Sequence, residues 1–266
     1  MVNKYFNKLI IDFKKNFNLN IESLKFIIQE LVYLGINNIE FDLGNNVDID
    51  KLCEIIYFIQ NKYNLNNIGI ITDGFGIYSK IDNLKLCGIN NISIRLESLK
   101  QYKYKRLNHD ININEVLMLI NKCINYKVYT KIIYTLINNF NTDEIFDFIN
   151  LTYNLPIEVC FTELIPDTSH MNFYKEGYVS VLDVVNNIDN ISKLNYSNGK
   201  IEYYKLYGAK GILSTNPHSN KCNSCTELFL DGNGIIKSCI NSNLYFDSTN
   251  FINKPLMFKE ELKKIL

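Results

Sequence analysis

Three cysteines late in the chain have the spacing of a metal or cluster site. Cys222 and Cys225 are separated by two residues, and Cys239 follows after thirteen more. Two short apolar segments flank Asp231–Gly234, which predicts a hairpin because glycine supplies the positive φ that tight turns require. The hairpin would return Cys239 to the other two cysteines. In a reducing compartment, three converging thiolates bind a metal ion or an iron–sulfur cluster.

A zinc ion is the alternative occupant of this site. His218 stands four positions before Cys222, so one histidine and three cysteines form a possible tetrahedral Cys3His set. Fortuitous burial of unrelated thiols fits the pattern less well, because a C-x2-C turn has chelating geometry. The other histidines, His109 and His170, have no partner at metal-ligand spacing and are expected in surface loops.

The composition indicates a folded chain without a charged binding surface for polyanions. The chain has 266 residues, of which 47% are hydrophobic and 13% aromatic, enough for one large domain or for one domain with a small appendage. Twenty-eight basic residues balance twenty-eight acidic ones, which argues against nucleic-acid and membrane partners. Only Arg95 and Arg106 are arginines, although the guanidinium fork is the usual grip on triphosphates.

The location expected from the sequence is the cytoplasm. No apolar run reaches the ~18 residues of a membrane span, and the first residues lack a signal-peptide layout. An odd number of cysteines, seven, argues for reduced thiols. Cys53, Cys87 and Cys123 lie on apolar helix faces and Cys160 in a buried strand, so we expect them to be small core residues.

Strands and helices alternate from the N-terminus. The predicted strands cover residues 9–13, 39–41, 68–71, 92–96, 130–137 and 157–161. Asn20 and Ser180 are predicted helix N-caps, and Asn141 with Glu144 resembles a capping box. Alternation at this spacing predicts an α/β fold, an incomplete (β/α)6 TIM-like barrel whose working face lies at the carboxyl ends of the strands. A boundary near residue 195 would separate this barrel (1–195) from a small cysteine-rich β-hairpin extension (196–266).

Several motifs resemble the GTP cyclase that begins molybdenum-cofactor biosynthesis, a radical S-adenosylmethionine (SAM) enzyme. The likeness covers roughly residues 19–266, and its most specific element is the C-x2-C-x13-C set. Four shorter motifs accompany it: Thr72-Asp73-Gly74 resembles T-N-G, Leu96–Leu99 resembles L-D-S-L, Phe161–Pro166 resembles F-I-E-L-M-P, and Gly208–Gly211 matches G-A-K-G. Residues 141–145 also resemble N-D-D-E-I.

The resemblance implies a cofactor and a ligand. In the family, the three cysteines hold a [4Fe–4S] cluster whose open iron binds the guanine of GTP, so a cluster on Cys222, Cys225 and Cys239 and a purine nucleotide such as GTP are expected. The matching motifs and strand ends make Thr72, Glu97, Glu163, Lys131 and Lys210 candidate cofactor-binding residues. For the lysines an ordinary surface position is the alternative, and for Glu163 a solvated carboxylate.

The departures from the family affect SAM. The family begins with C-x3-C-x2-C, which holds the SAM-cleaving cluster, but here no cysteine precedes Cys53. Asn45 stands where the family has the glutamate that binds the methionine amine, and Arg95 replaces a serine. A family arginine falls on Cys160. After Cys225 the family reads N-R-L-R-L, with arginines for the triphosphate, whereas this chain has Thr226-Glu227-Leu228-Phe229-Leu230.

Three functions follow from this combination of matches and losses. The first is a degenerate homologue that keeps the C-terminal cluster, has lost SAM cleavage, and serves as a binding or accessory protein. The second is an active pathway enzyme acting on GTP, and the third is a zinc-stapled structural or interaction protein. We favour the first, with no assigned catalytic residue and an unidentified protein partner.

Overall fold

The computed structural model describes residues 6–13, 17–44, 47–63, 65, 67–107, 112–166, 170–218, 225–239 and 242–265. The chain divides into two compact units, and we treat each by itself. The first unit comprises Met1–Ile71, Ser79–Asn91 and Cys225–Leu266, and the second comprises Thr72–Tyr78 and Ile92–Ser224. Residue 195, the predicted boundary, lies inside a strand of the second unit, and the division into domains 1–195 and 196–266 stays a prediction.

The strands and helices follow the order expected from the sequence. The strands are β1 (Lys8–Phe13), β2 (Asn38–Leu43), β3 (Asn67–Thr72), β4 (Asn91–Arg95), β5 (Tyr129–Thr135), β6 (Glu158–Thr162), β7 (Ile191–Asn198), β8 (Ile201–Leu206), β9 (Ile212–Asn216), β10 (Glu227–Leu230), β11 (Ile235–Lys237) and β12 (Phe246–Asp247). The helices are α1 (Ile21–Tyr33), α2 (Ile49–Tyr63), α3 (Ile81–Cys87), α4 (Gln101–Leu107), α5 (Ile113–Asn125), α6 (Ile145–Asn154), α7 (Met171–Gly177), α8 (Val181–Asn186) and α9 (Pro255–Ile265). Strands β1 to β6 contain or overlap all six predicted strands.

The first unit is built on strands in the order β12-β11-β10-β1-β2-β3. Strand β1 pairs parallel with both β2 and β10, whereas β10, β11 and β12 pair antiparallel in succession. Side chains alternate along a strand, so Leu9 and Ile11 point to one face, where both are fully buried. The apolar faces of α1 and α2, spaced at three and four residues, are likewise fully buried.

Two cysteines of the first unit form a bond that the sequence did not predict. Cys53 on α2 and Cys87 on α3 form a disulfide, with their Cα atoms 5.4 Å apart. Both are buried on apolar helix faces as expected, but the prediction that the thiols are reduced is wrong for this pair. Periodicity places each residue on a helix face; only the packing of α2 against α3 makes the two sulfur atoms neighbours.

The C-terminal helix α9 belongs to the core of the first unit. Phe258 is fully buried and meets Phe26 and Phe246 edge to face, with ring centroids 5.8 Å and 5.0 Å apart. Lys259 lies 3.4 Å from the carboxylate of Glu30, which is 1% exposed on α1. Aromatic burial and this ion pair therefore fix α9 to α1.

The second unit has the strand order β4-β5-β6-β9-β8-β7. Strands β5, β6 and β9 are parallel, and β8 pairs antiparallel with β9 and β7. Tyr134 stacks on Phe148 of α6 at 3.8 Å and meets Phe161 at 5.8 Å, so this face of β5 and β6 packs against the helix. Because side chains alternate along a strand, Lys131 and Glu158 point to the opposite face of the sheet.

The caps predicted at Asn20 and Ser180 are confirmed. The side chain of Asn20 accepts a hydrogen bond from the Ser23 amide at 2.7 Å, and Ser180 accepts one from Asp183 at 3.2 Å. The capping box at Asn141 and Glu144 is wrong, because both side chains bond to other loops (described below). No helix in the described part of the chain is long and apolar enough to cross a membrane.

Phe258 offers a direct test of the packing of α9. We expect Phe258→Ala to lower the free energy of unfolding by about 3–5 kcal/mol, because it empties a buried aromatic site. The adjacent Met257 is half exposed, so Met257→Ala should change the free energy of unfolding by less than about 0.5 kcal/mol. Urea denaturation measures both values. Equal effects from the two substitutions would show that α9 is not anchored through Phe258.

Candidate functional site

Polar residues of the second unit meet where β3 and β4 end. Thr72, the last residue of β3, is buried, and its hydroxyl accepts a hydrogen bond from the Gly74 amide at 3.0 Å. Gly74 has a φ of 91°, a conformation that favours glycine. Asp73 and Arg95 form an ion pair at 3.4 Å. The Thr72 hydroxyl thus stabilises the turn after β3. The predicted contact between Thr72 and a ligand stays a prediction.

Glu97 lies beside this ion pair and differs from the other carboxylates. It is partly buried just after β4. The pKa of its carboxyl group is raised to about 7. Burial is the main cause and the Asp73 charge adds to it, while a backbone hydrogen bond and Arg95 oppose the shift. The carboxyl group therefore titrates near neutral pH. Asp73, Arg95 and Glu97 thus form a cluster of interacting charged side chains after β3 and β4.

Two residues of the 141–145 motif, Asn141 and Glu144, hold the Glu97 loop in place. The side-chain amide of Asn141 donates to the Glu97 carbonyl at 2.9 Å and to the Thr135 carbonyl at 2.8 Å, and its oxygen accepts from the Ile137 amide. Glu144 is fully buried and accepts hydrogen bonds from the Ser98 hydroxyl and the Leu99 amide. The residues expected to cap a helix instead connect the loops that follow β4 and β5.

Lys131 forms an ion pair within the protein. Its ammonium lies 3.0 Å from the carboxylate of Glu158, which is 2% exposed. Tyr129 donates a hydrogen bond to the same carboxylate at 2.6 Å, and the Ser214 hydroxyl donates another. Burial raises the pKa of Glu158, but the Lys131 charge and the hydrogen bonds outweigh it, leaving the pKa below its usual value. Lys131 is therefore paired within the sheet, and its predicted contact with a ligand stays a prediction.

Glu163 is buried, so its expected alternative as a solvated carboxylate is wrong. It is 4% exposed at the carboxyl end of β6. One carboxylate oxygen accepts from Tyr178 at 3.1 Å and from the Val181 amide at 3.2 Å, and the other accepts from the His218 amide at 2.8 Å. Glu163 thus joins β6 to the start of α8 and to the segment after β9. Its predicted cofactor contact stays a prediction.

Lys210 lies at the amino end of β9, whereas Glu163 lies at the carboxyl end of β6. Lys210 precedes β9 by two residues, and its ammonium donates to the Asn154 carbonyl at the end of α6 at 3.2 Å. Lys205 donates to the carbonyls of Lys210 and Gly211. Parallel strands place their amino ends together, so Lys210 lies away from the carboxyl ends of β6 and β9. The structure therefore does not bring Lys210 together with Thr72, Glu97 or Glu163.

A cavity of about 360 Å³ opens at the carboxyl end of β6. Its lining residues are Leu164, Ile165, His170, Phe173 and Tyr174. Such a volume is in the range of small-molecule sites, and flat aromatic walls suit a planar ring. Only the Phe161–Pro166 motif indicates this part of the fold from the sequence, since Phe173 and Tyr174 come from α7.

The C-terminal cysteines are described in part. Cys222 lies outside the described residues, whereas Cys225 and Cys239 are partly exposed cysteines of the first unit that are not in a disulfide. Phe229 pairs with Lys237 and Leu230 with Ile236, a register that brings Cys239 opposite Glu227, two residues from Cys225. Within the described ranges, no group of three histidine, cysteine or acidic residues has metal-binding geometry. His218 approaches the Lys200 ammonium at 2.9 Å through its ring.

Two soft ligands near one end of a hairpin fit an iron–sulfur cluster or zinc. The remaining cysteines do not fit a second cluster. Cys53 and Cys87 are bonded to each other, and Cys123 and Cys160 are buried in α5 and β6. Burial raises the pKa of Cys123 to about 12, which leaves its thiol protonated. Asn45 and His109, named from the sequence, lie outside the described residues.

Sequence reasoning missed the partners that decide the chemistry of this unit. Glu158, Asp73 and Tyr178 were not singled out, although each determines the charge or position of a predicted residue. The available signal for Glu158 was its position: a glutamate beginning an otherwise apolar buried strand needs a counter-ion. Lysine at the third position of β5 is in register with it.

Comparison with known proteins places the sequence in a family. Residues 5–152, more than half of the chain, match the radical SAM superfamily. The GTP 3',8-cyclase of Clostridium acetobutylicum is 28% identical over 244 residues, which cover 90% of this chain and 77% of that protein. The GTP 3',8-cyclase of Alkaliphilus oremlandii is 29% identical over 92% of this chain and 78% of its own length.

Solved structures with little sequence identity share the fold. SuiB of Streptococcus suis, crystallised with S-adenosylmethionine, has a TM-score of 0.62 at 10% sequence identity. The match covers 93% of this chain and 64% of SuiB. Methylornithine synthase (PylB) has a TM-score of 0.55 at 13% identity, covering 69% of this chain and 62% of PylB. The chain thus spans less than two thirds of each structure. The predicted α/β class, an incomplete (β/α)6 barrel, is confirmed, and the C-terminal extension stays a prediction.

The raised pKa of Glu97 makes a prediction about stability and pH. Between pH 4.5 and about 7 the unfolded carboxyl group has lost its proton while the folded one keeps it, so the contribution of Glu97 to stability falls as pH rises. We expect the free energy of unfolding of Glu97→Gln, relative to wild type, to increase across this window. Denaturation at a series of pH values measures the difference. The exposed Glu176→Gln is the control, and equal pH profiles for both variants would contradict the prediction.

Proposed function

The chain belongs to the radical SAM superfamily, and from this premise we propose that it is a purine-binding homologue of the GTP 3',8-cyclases that keeps a C-terminal [4Fe–4S] cluster but does not cleave SAM. In this proposal the protein has a binding or accessory role in the cytoplasm. The observation that carries it is the uneven distribution of cysteines. The C-x2-C-x13-C set is complete, while no cysteine stands between Met1 and Cys53.

The C-terminal cluster is supported by the chemistry of its donors. Cys225 and Cys239 are partly exposed and are not in a disulfide, whereas the buried Cys123 is protonated and inert. Three thiolates leave one iron of a [4Fe–4S] cluster open to another ligand. A GTP-like purine is the ligand class that the similarity to the GTP 3',8-cyclases suggests.

Loss of SAM cleavage is supported by two features of this chain. A SAM-cleaving cluster needs three thiolates, and neither the disulfide-bonded pair Cys53–Cys87 nor the buried Cys123 and Cys160 can supply them. Arg95 adds a guanidinium in the strand where the family has a serine. Its contact with Asp73 fixes that charge at the carboxyl end of β4.

The other two functions make different demands on the protein. An active GTP cyclase would require a SAM-cleaving cluster assembled from ligands outside this pattern. A zinc-stapled structural protein would use the same cysteines, with His218 as the fourth ligand.

We predict about four irons and four sulfides per chain after anaerobic purification, by analogy with cluster sites held by cysteine thiolates. Cys225→Ser and Cys239→Ser should each abolish the visible iron–thiolate absorption, because each removes one ligand. Cys123→Ser is the matched control, since this buried thiol is outside the site. Metal analysis and the visible spectrum measure the outcome. Stoichiometric zinc without that absorption would overturn the cluster and support the structural protein.

We also predict that the reconstituted protein forms no 5'-deoxyadenosine when incubated with dithionite and SAM, with or without GTP. The reason is the missing thiolate triad after β1, without which no iron is available to bind the methionine. Chromatography of the reaction mixture measures the product. Repeated turnover that disappears in Cys53→Ser or Cys87→Ser would refute the prediction and show that these cysteines ligate a relocated cluster.

A further inference from the structure

Three polar side chains form a row at the carboxyl ends of β5, β6 and β9. Thr135, Thr162 and Asn216 are the last residues of these three strands. Thr135 is in register with Thr162, and Thr162 is in register with Asn216. Neighbouring strands lie about 4.8 Å apart, so the row spans roughly 10 Å. Because side chains alternate along a strand, all three point to the face of the sheet opposite α6.

The main-chain carbonyls of the row are all engaged within the protein. The side-chain amide of Asn141 donates to the carbonyl of the row on β5 at 2.8 Å. The main-chain amides of Leu136 and Glu163 donate to the carbonyls on β6 and β9, at 2.9 Å and 3.3 Å. These bonds fix the backbone before a ligand arrives, and they leave the side chains of the row to bind it.

The side chains of the row have unused hydrogen-bonding capacity. The Oδ1 atom of Asn216 is buried, and no donor in the described part of the chain reaches it. Thr162 is 8% exposed, and its hydroxyl lies 3.7 Å from the sulfur of Cys160, a weak partner. Thr135 and Asn216 are partly exposed, so the row is open to a ligand. A buried acceptor without a donor is unfavourable, and a hydroxyl group of a ligand would satisfy it.

The row itself has no ionisable group. On the same face, Lys131 and Glu158 come four residues earlier on β5 and β6, roughly 13 Å along the strands. Beyond the row, the Lys200 ammonium lies 2.9 Å from the His218 ring, and the Glu163 carboxylate accepts three hydrogen bonds. The row therefore offers neutral hydroxyl and carboxamide groups, which suit sugar hydroxyls, and not the charged donors that a phosphate requires.

We propose that Thr135, Thr162 and Asn216 bind an uncharged sugar with adjacent hydroxyl groups, such as D-ribose. One sugar hydroxyl would donate to Oδ1 of Asn216, and its neighbour would exchange hydrogen bonds with Thr162. Thr162 stands where the F-I-E-L-M-P motif has an isoleucine, so the family resemblance does not supply this row. The inference goes beyond the proposed function, because the row belongs to the second unit and requires neither a cluster nor a purine.

Titration of the full chain with D-ribose, followed by NMR, tests the proposal. Wild type should bind D-ribose about tenfold more tightly than 2-deoxy-D-ribose, which lacks one of the adjacent hydroxyl groups, and tenfold is the effect of about one hydrogen bond. D-ribose 5-phosphate should bind no more tightly than D-ribose. Tighter binding of the phosphate would overturn the neutral ligand class, and absence of D-ribose binding would overturn the inference as a whole.

Asn216→Leu distinguishes a ligand site from a structural contact. The substitution removes an acceptor that has no donor in the described part of the protein, so we expect an unchanged or higher Tm together with about tenfold weaker D-ribose binding. A lower Tm with unchanged D-ribose affinity would show a structural role and overturn the proposal. Thr162→Val keeps the side-chain shape and should also weaken binding. If Asn216→Leu does not fold, the result for Thr162→Val decides.

Thr130→Val is the matched control for the loss of a hydroxyl group. Thr130 lies on β5 as Thr135 does, but it points to the opposite face, where it is 1% exposed and donates to the Val128 carbonyl at 3.0 Å. Its substitution should lower the Tm and leave D-ribose affinity at the wild-type value. An equal loss of affinity in Thr130→Val and Thr162→Val would place the effect outside the row and overturn the proposal. D-ribose contains no purine, so these outcomes leave the proposed purine-binding function unaffected.

Discussion

A carboxylate buried away from water must be matched by donors inside the protein, and the second unit meets this requirement three times. Glu144, Glu158 and Glu163 are between 0% and 4% exposed. Each accepts hydrogen bonds from residues that lie far away in the sequence. Because removing one partner would leave a buried charge, these contacts fix the loops after β4 and β6 and the start of α8. The geometry of the candidate site follows from them.

The same requirement decides which cations remain for a ligand. Glu158 takes the ammonium of Lys131, and Asp143 takes those of Lys100 and Lys103. Lys131, a phosphate candidate in the sequence, is therefore paired with a buried carboxylate. Glu97 is the exception: burial raises its pKa, the Asp73 charge adds to the shift, and a backbone hydrogen bond and Arg95 oppose it. The second unit thus has a carboxyl group with a raised pKa after β4 and, separately, a cavity at the carboxyl end of β6.

The environment of each cysteine likewise determines its chemistry. Buried thiols are either bonded to each other, as in Cys53–Cys87, or protonated, as in Cys123. Cys225 and Cys239 are partly exposed at one end of the β10–β11 pair and are suited to ligate a metal. Exposure and thiolate chemistry thus favour the C-terminal site, and the first strand has no cysteine to offer.

Local patterns in the sequence determined the order of strands and helices, because burial of an apolar face imposes a period of two or 3.6 on any sequence. They also determined the caps at Asn20 and Ser180, which depend on neighbours within three residues. Asn141 and Glu144 have the spacing of a capping box, yet tertiary contacts with Glu97, Ser98 and Leu99 took their side chains instead. Spacing shows which bonds are sterically possible, and only the fold decides which donors are near enough to compete.

At the candidate site as well, the sequence indicates single residues and the fold decides which residues are neighbours. From residue type, motif and position at strand ends, the sequence proposed Thr72, Glu97, Glu163 and the cysteine set as candidates. It did not show that Lys131 would form an ion pair with Glu158 or that Lys210 would lie at the amino ends of the strands. Nor did it show that Cys53 would form a disulfide with Cys87. Electrostatic pairing depends on distances of a few ångströms between residues tens of positions apart. The pairing of strands β5, β6 and β9 and the packing of α2 against α3 set those distances.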